Sequence, residues 1–341
     1  MIRSSAAGAG SSAQAKDGEA IETRSGDTAR VNGADTRGAA RAAGRRAIRP
    51  AVGAPIRSEH PPSLPVRAGW DALARFARAL GPVRFLVPDA AAAITCLTRP
   101  DQVAACAARH RRADPSLGLG ASRARARASY REYYRTCVDL VWASGMSTEA
   151  VRRRSGGRGH ENWRRAQREH GAGIFCLAHH GNWDMAASIA LAEGLALTTV
   201  MREFTPAFVN RIIVWTRERR GLEVFTPGRA ARGLLHALRG GRFLALLVDI
   251  PEGGSTMEVH FRGGPVLFST GPAELSRHTG CPLLPVACFR QDGRYRIVID
   301  EPVPPGSVAE MTQRLADRLD ALMAGTPEQW YPFNPVWTDE T

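Results

Sequence analysis

Apolar positions along the chain divide it into an amphipathic segment and a later series of short apolar runs. Trp70, Leu73, Phe76 and Leu80 recur at helical spacing with arginines between them, which predicts an amphipathic helix. Short apolar runs predict buried strands at 174–178, 197–202, 243–248, 283–289 and 295–299. Helical spacing predicts helices at 185–194, 206–220 and 272–279, and a tyrosine-containing helix that extends to Val141. Strands that alternate with helices predict an α/β fold, a central and mostly parallel sheet flanked by helices.

The N-terminal segment has a different composition. Residues 1–65 contain no Phe, Trp or Tyr and are rich in Ala, Gly, Ser, Arg and Asp. Such a segment buries too little apolar surface to offset its conformational entropy. We therefore predict a disordered, low-complexity tail at 1–65 and one folded domain at 66–341.

Composition and charge exclude some classes of protein. The chain has 341 residues, 44% of them hydrophobic, which excludes wholesale disorder. No run of about 18 apolar residues occurs, so we expect no membrane-spanning helix, and the first residues lack the apolar core of a secretory signal. The formal net charge is +13. A cationic protein attracts nucleic acid, anionic lipid headgroups or phosphorylated substrates.

Arginines and cysteines refine this picture. Residues 109–169 hold fifteen arginines and six acidic residues. This density is equally consistent with a solvated helix face and with binding of an anionic surface or ligand. The six cysteines form no CxxC pair and mostly occupy apolar runs, which favours buried thiols in a reducing compartment over a disulfide or zinc framework.

One turn carries the residues for catalysis. The strand at 174–178 is followed by His179 and, five positions later, Asp184, and both belong to a strand-to-helix turn. Gly181 permits a sharp bend, and Asn182 can cap the following helix. A carboxylate that accepts a hydrogen bond from one imidazole nitrogen raises the basicity of the other. We predict that Asp184 orients His179 as a general base toward an alcohol, for direct acyl transfer from a thioester.

Two other interpretations of this turn compete with a catalytic one. A His followed by an Asp at this spacing also occurs by chance. His179 and His180 could be metal ligands, but adjacent strand residues point to opposite faces and no second ligand cluster has suitable spacing. We predict no metal and no bound cofactor.

Five stretches in order resemble one protein family. His179–Asp184 matches the His-x4-Asp/Glu signature of the lysophospholipid acyltransferase superfamily. The stretches that follow resemble successive blocks of the lipid A biosynthesis lauroyl/myristoyl acyltransferase family; they are 202–206 with 217–224, 241–249, 257–263 with 270–273, and 327–331 with 335–337. The actinobacterial phosphatidylinositol mannoside acyltransferase branch is the most similar.

The resemblance implies a peripheral enzyme on the cytoplasmic face of the cell membrane. Its donor would be acyl-CoA or acyl carrier protein, and its acceptor a hydroxyl of a membrane glycolipid. The matching positions imply His179 as base and Asp184 as its partner. The substrate-binding residues would be Glu203, Arg217 and Asn182. Glu258 would be a further catalytic carboxylate.

The stretch 257–263 also offers a substitute for Glu258, because His260 lies two residues on and so on the same strand face. Rival hypotheses are an acyltransferase for another lipid or secondary metabolite, and a non-catalytic lipid-binding homologue. A nucleic-acid binder would depend on charge alone, and no recognition motif supports it.

Overall fold

The computed structural model describes Pro55 and residues 61–227, 230–251 and 253–340, which fall in one compact unit, Pro50–Thr341. Its helices are α1 Leu64–Ala79, α2 Leu86–Thr98, α3 Pro100–Ala113, α4 Leu119–Ala143, α5 Thr148–Arg154, α6 His160–His170, α7 Trp183–Ala192, α8 Ala207–Glu218, α9 Ala230–Arg239, α10 Gly271–Thr279 and α11 Val308–Met323. Its strands are β1 Ser155–Arg158, β2 Ile174–Leu177, β3 Leu197–Val200, β4 Leu222–Phe225, β5 Phe243–Leu247, β6 Thr256–Phe261, β7 Gly264–Ser269, β8 Leu283–Gln291 and β9 Arg294–Ile299. Short 3-10 helices at Gly81–Phe85, Pro327–Gln329 and Thr338–Glu340 complete the described elements.

The central sheet is mostly parallel, as the alternation of strands and helices predicted. Its strand order is β1-β9-β8-β2-β5-β3-β4, and β8 with β9 is the antiparallel pair. β2 lies between β5 and β8, with Leu177 in register with Leu247. The carboxyl ends of β2 and β5 therefore meet at one edge of the sheet, where open α/β sheets bind their ligands.

Helices cover both faces of this sheet, which confirms the predicted fold class. Alternate residues of the central strands point to opposite faces, so Ile174 and Cys176 join one core while Phe175 and Leu177 join the other. The first core also takes residues from α9, α10, α11 and the β6–β7 hairpin. The second takes residues from α5, α6, α7 and α8.

Several elements were missed by the sequence patterns. The sequence patterns did not predict β1, β4, α9 or α11. β1 reads SGGR and carries no apolar signal, while β4 is a run of four residues directly after a helix. α11 is strongly amphipathic and begins with a capping box at Ser307, so a search for Ser-x-x-Glu could have found it.

The N-terminal helices expose much of their apolar surface. The prediction of disorder over 1–65 falls almost wholly outside the described residues, although α1 begins at Leu64, two residues inside that range. α1 packs through Ala74 and Ala77, whereas Leu73 and Phe76 are exposed. Among the described residues no single helix is long and apolar enough to cross a membrane. The pair 64–79 and 81–98 meets length and composition criteria together but is bent by 119°.

The arginine-rich region is largely engaged in ion pairs within the protein. Arg125 binds Asp114, Arg135 binds Asp89, and Arg153 binds Glu149. Four of the six free cysteines are buried, as expected, but Cys137 is exposed on α4 and Cys96 is half-buried. The prediction of buried thiols is therefore wrong for Cys137.

Candidate active site

His179 and Asp249 meet at the carboxyl edge of the sheet. Each residue lies two positions beyond the last residue of its strand, β2 or β5, and those strands are paired in register. The backbone N–H of Val248 donates to the carbonyl of Leu177, which extends the pairing toward the edge. The sheet itself thus brings together two residues that are seventy positions apart in the sequence.

The Asp249 carboxylate holds His179 by two hydrogen bonds. Its Oδ2 accepts from the backbone N–H of His179 at 2.8 Å, and its Oδ1 lies 2.8 Å from the ring Nδ1. The Asp249 side chain is only 6% exposed, and that of His179 is 28% exposed. A carboxylate at Nδ1 favours the tautomer that carries its proton there, so the basic lone pair is on Nε2.

This arrangement differs from the expected one. The spacing in the turn predicted the orienting role for Asp184 and none for Asp249, although Asp249 ends one of the stretches that resemble the family. Its position directly after a buried strand is the signal that could have found it, because parallel strands next to each other bring such residues together. The carboxylate that accepts from Nδ1 of His179 is that of Asp249, which corrects the expected partner of the imidazole.

Asp184 is bound to Arg217. The Nε of Arg217 donates to Oδ1 of Asp184 at 3.0 Å, and its Nη2 lies 2.8 Å from the same oxygen. Asp184 stands in the first turn of α7, where a carboxylate is favoured by the helix dipole. Both predicted site residues line the same cavity as His179. A catalytic role for Asp184 stays a prediction.

Asn182 shapes the turn from a buried position. Its Oδ1 accepts from the backbone N–H of Met185 and caps α7, and its Nδ2 donates to the hydroxyl of Tyr295 at 3.0 Å. It is buried and does not line the cavity. A contact of Asn182 with substrate therefore stays a prediction. Asn182 acts on the site by holding the helix that carries Asp184.

Gly181 is required by close packing at this turn. Its φ is +62°, and a Cβ there would lie 2.0 Å from the carbonyl oxygen of Cys288. Its backbone is braced by the C-terminal segment, since its N–H donates to the Gln329 carbonyl and its carbonyl accepts from the Tyr331 hydroxyl. The tail that resembled the family's C-terminal signature therefore supports the turn that carries His179 and Asp184.

His180 points away into the protein. Its Nε2 lies 3.0 Å from both the carbonyl and the hydroxyl oxygen of Thr326. Burial lowers the pKa of this imidazole to about 4, so it is neutral near pH 7. Within the described part of the chain no three His, Cys, Asp or Glu residues are grouped as metal ligands would be.

The cavity at this edge is large and mostly apolar. It has a volume of about 1060 Å³, and its polar and aromatic lining includes His179, Trp183, Asp184, Arg202, Arg217 and Tyr331. One part runs between α7 and the sheet, past Ala186, Ala190, Phe175 and Leu177. Another group of lining residues comes from α9 and α10 on the opposite face. An apolar cavity with a few polar groups at its mouth suits a lipid chain that carries a reactive end.

The remaining predicted residues lie elsewhere. Glu203 is exposed on the loop before α8 and does not line the cavity, although its neighbours Arg202 and Phe204 do. Glu258 is exposed on β6 and accepts from the hydroxyl of Thr338 at 2.7 Å. His260 is exposed on the same face, and its backbone pairs with Gln313 of α11. The structure thus does not bring Glu258 or His260 to the cavity, because the β6–β7 hairpin turns that face to solvent.

Comparisons with known proteins agree with the resemblance in the sequence. The model of the family described as bacterial lipid A biosynthesis acyltransferase matches residues 121–339. A protein named phosphatidylinositol mannoside acyltransferase from Mycobacterium tuberculosis H37Rv is 32% identical over 171 residues, which is 48% of this chain and 54% of the relative. Its namesake from Mycolicibacterium smegmatis is 33% identical over 170 residues, 48% of this chain and 56% of the relative. The chain spans about half the length of the curated relatives it matches.

Proposed function

The chain belongs to the bacterial lipid A biosynthesis acyltransferase family, and from this premise we propose that it transfers a fatty acyl chain from a thioester to a hydroxyl of a membrane glycolipid. The observation that carries the proposal is the His179–Asp249 pair, whose imidazole lines an apolar cavity. The pair supplies a base, and the cavity suits the acyl chain. Phosphatidylinositol mannoside is the acceptor class we favour, because the relatives described above bear that name.

His179 acts as the general base in this proposal. Its Nε2 removes the proton of the acceptor hydroxyl while Asp249 stabilises the imidazolium that forms. The alkoxide oxygen attacks the thioester carbonyl carbon, a C–O bond forms, and the C–S bond then breaks. The imidazolium returns its proton to the departing thiolate. Arg202 or Arg217, which line the cavity, are candidates to stabilise the tetrahedral oxyanion.

Asp184 and Arg217 have a supporting role in this mechanism. Their ion pair joins the first turn of α7 to the last turn of α8 beside His179. Because the pair is mostly buried, its charges are screened less than those at the surface. We expect it to fix the mouth of the cavity and to contact the polar end of a substrate.

The donor is acyl-CoA or acyl carrier protein in this proposal, with no metal or bound cofactor. Both donors present the same thioester on a phosphopantetheine arm. An assay with each donor in turn distinguishes acyl-CoA from acyl carrier protein, because the thioester that reaches His179 is the same in both.

Membrane attachment through the N-terminal helices is part of the proposal. α2 and the turn before it expose large apolar side chains, including Val87 at 77% and Leu97 at 80%. Exposed apolar patches of this kind mark interaction surfaces. Arg67 and Arg75 lie on α1 beside its exposed apolar residues, where cationic side chains attract anionic headgroups. A peripheral enzyme on the cytoplasmic face of the cell membrane would then reach a lipid acceptor without spanning the bilayer.

The decisive experiment is a transfer assay with purified full-length protein. It supplies radiolabelled acyl-CoA or acyl carrier protein together with phosphatidylinositol mannosides, and it follows the acylated lipid by mass spectrometry. His179→Ala is the matched inactive variant. Transfer by the wild type and loss in the variant support the proposal, whereas thioester binding without transfer to any offered lipid would favour a non-catalytic lipid-binding homologue.

A further inference from the structure

A buried network of charged side chains adjoins the turn at 179–184. Its centre is Asp139 of α4, whose side chain is completely buried. The Asp139 carboxylate accepts from the guanidinium groups of Arg84 and Arg290 and from the hydroxyl of Tyr295. A buried carboxylate is costly unless it is paired and hydrogen-bonded, so three donors around one side chain indicate a fixed arrangement.

Tyr295 of β9 connects this carboxylate to the turn. Its hydroxyl donates to Asp139 and accepts from Nδ2 of Asn182 and from Nη2 of Arg290, both at 3.0 Å. A phenol has one proton and two acceptor lone pairs, so its hydrogen-bonding capacity is fully used. Burial and the negative charge of Asp139 raise the pKa of Tyr295 well above its usual value, so the phenol keeps the proton that it donates. We call the path Asp139–Tyr295–Asn182 the relay.

The relay determines which way the side-chain amide of Asn182 points. Because Nδ2 of Asn182 faces the phenol, its Oδ1 faces α7 and accepts from the backbone N–H of Met185 at 2.9 Å. A rotated amide would place its NH₂ group against that N–H, and the cap of α7 would be lost. α7 begins with Trp183 and Asp184, which line the cavity together with His179. The direction of one buried amide therefore affects where these lining side chains stand.

Arg290 also holds the neighbouring residue of the turn through its own backbone. Its N–H donates to Oε1 of Gln329 at 2.9 Å, and its carbonyl accepts from Nε2 of Gln329 at 2.8 Å. The carbonyl of Gln329 accepts in turn from the N–H of Gly181 at 2.8 Å. Glu132 of α4 binds Nη1 of Arg290, so two carboxylates of one helix hold this guanidinium. The same network thus fixes two consecutive residues of the turn.

We propose that Asp139 and Tyr295 are positioning residues for acyl transfer, which act through Asn182 on the turn that carries His179. This inference rests on the acyl transfer proposed above and adds two residues to it. Neither side chain lines the cavity, so their effect passes through the turn. Buried ion pairs can often be replaced by apolar side chains without loss of stability, so stability alone does not require these charges. They supply a fixed direction of hydrogen bonds, which apolar packing cannot.

Tyr295→Phe tests the relay, because it removes the hydroxyl and keeps the ring. We expect kcat for acyl transfer to fall by about 10- to 100-fold, since a misplacement of about 1 Å costs about 10² in rate. KM for the donor should stay near that of the wild type, because the relay lies outside the cavity. The matched control is Tyr134→Phe, which removes a hydroxyl that lies 2.9 Å from Oγ1 of Thr95 and has no link to the turn. Its kcat should match the wild type, and thermal unfolding checks the fold of both variants.

A reversed relay separates direction from general loosening. Asn182→Asp alone places a second carboxylate at Tyr295, and the phenol can donate to only one of the two. Asp139→Asn alone removes the acceptor that fixes the phenol proton. In the double variant the new amide at 139 can donate to the phenol and the phenol to the new carboxylate at 182, which still caps α7. We expect both single variants to lose about tenfold or more in kcat, and the double variant to exceed the worse of them by about tenfold.

Two results would overturn the proposal. One is near-normal kcat in a folded Tyr295→Phe protein, and the other is a folded double variant no better than the worse single variant. If the variants at position 139 do not fold, Tyr295→Phe with its control decides alone.

A measurement without turnover separates the relay from the proposed function. The chain has five asparagines, so NMR of protein labelled with ¹⁵N at asparagine can follow the side-chain amide of Asn182, identified by the loss of its signals in Asn182→Asp. Its protons should exchange slowly in the wild type and in Tyr134→Phe, and at least about tenfold faster in Tyr295→Phe, because a hydrogen bond is lost. If the wild type transfers to no offered lipid, the proposed function fails while this pattern keeps the relay. Equal exchange in the wild type and Tyr295→Phe would overturn the relay whatever the turnover.

Discussion

Replacement of Asp249 by asparagine tests the His179–Asp249 pair with almost no change of shape. The carboxylate accepts from two donors, the ring Nδ1 and the backbone N–H of His179, both at 2.8 Å. An asparagine can accept from only one of them. If its oxygen keeps the backbone N–H, its NH₂ group faces Nδ1 and favours the tautomer with the proton on Nε2. His179 then cannot act as a base toward the acceptor.

The size of the effect follows from the role of the base. General-base catalysis contributes about 10²–10⁴ in rate, and the equivalent change in a Ser-His-Asp triad costs about 10⁴. We therefore expect kcat of Asp249→Asn to fall by about 10²–10⁴, with little change in KM for the donor, because the interaction matters most in the transition state.

Asp300→Asn is the matched control for this variant. Asp300 directly follows β9, its carboxylate accepts from the backbone N–H of Glu301 and binds Arg318, and it does not line the cavity. Its turnover should stay close to that of the wild type. Thermal unfolding of both variants checks that the fold is retained. Near-normal turnover in a folded Asp249→Asn protein would refute the assignment of Asp249 as the positioning residue.

Four further outcomes are expected. His179→Ala should lower the rate of acyl transfer by about 10²–10⁴ while the unfolding temperature stays near that of the wild type. Full activity in this variant would refute the assignment of His179 as the general base. Glu258→Gln should leave kcat unchanged, because the carboxylate is exposed and does not line the cavity. A fall in kcat of tenfold or more would show that Glu258 takes part in catalysis. Leu86→Asp with Leu97→Asp should weaken binding to anionic vesicles in sedimentation assays, and unchanged binding would exclude this face. The free energy of unfolding should fall as pH drops from about 6.5 toward 4, because burial lowers the pKa of His180 to about 4 and only the unfolded chain binds the extra proton in this range. Urea unfolding should show a loss of about 1.4 kcal/mol per pH unit from this group. His180→Gln should make this pH dependence smaller.

The sequence by itself determined the fold class, the family and the turn that carries His179, the proposed base. Apolar runs near 174, 243 and 283 predicted buried parallel strands, because strands covered on both faces read as continuous apolar segments. His179 and Gly181 are close in sequence, so their local geometry follows from the turn itself. Weak or short patterns such as the SGGR of β1 gave no usable signal, since its pairing with β9 depends on backbone hydrogen bonds.

Only the tertiary structure decided which carboxylate holds His179. Asp184 is near His179 in sequence, whereas Asp249 is seventy residues away and reaches it because β2 and β5 pair in register. The spacing of residues in the sequence also could not predict which way these side chains point. The β6–β7 hairpin turns Glu258 to solvent, and Asn182 is buried as the cap of α7. Sequence patterns report local periodicity, but the order of strands in a sheet is set by long-range packing, and that order places Asp249 beside His179.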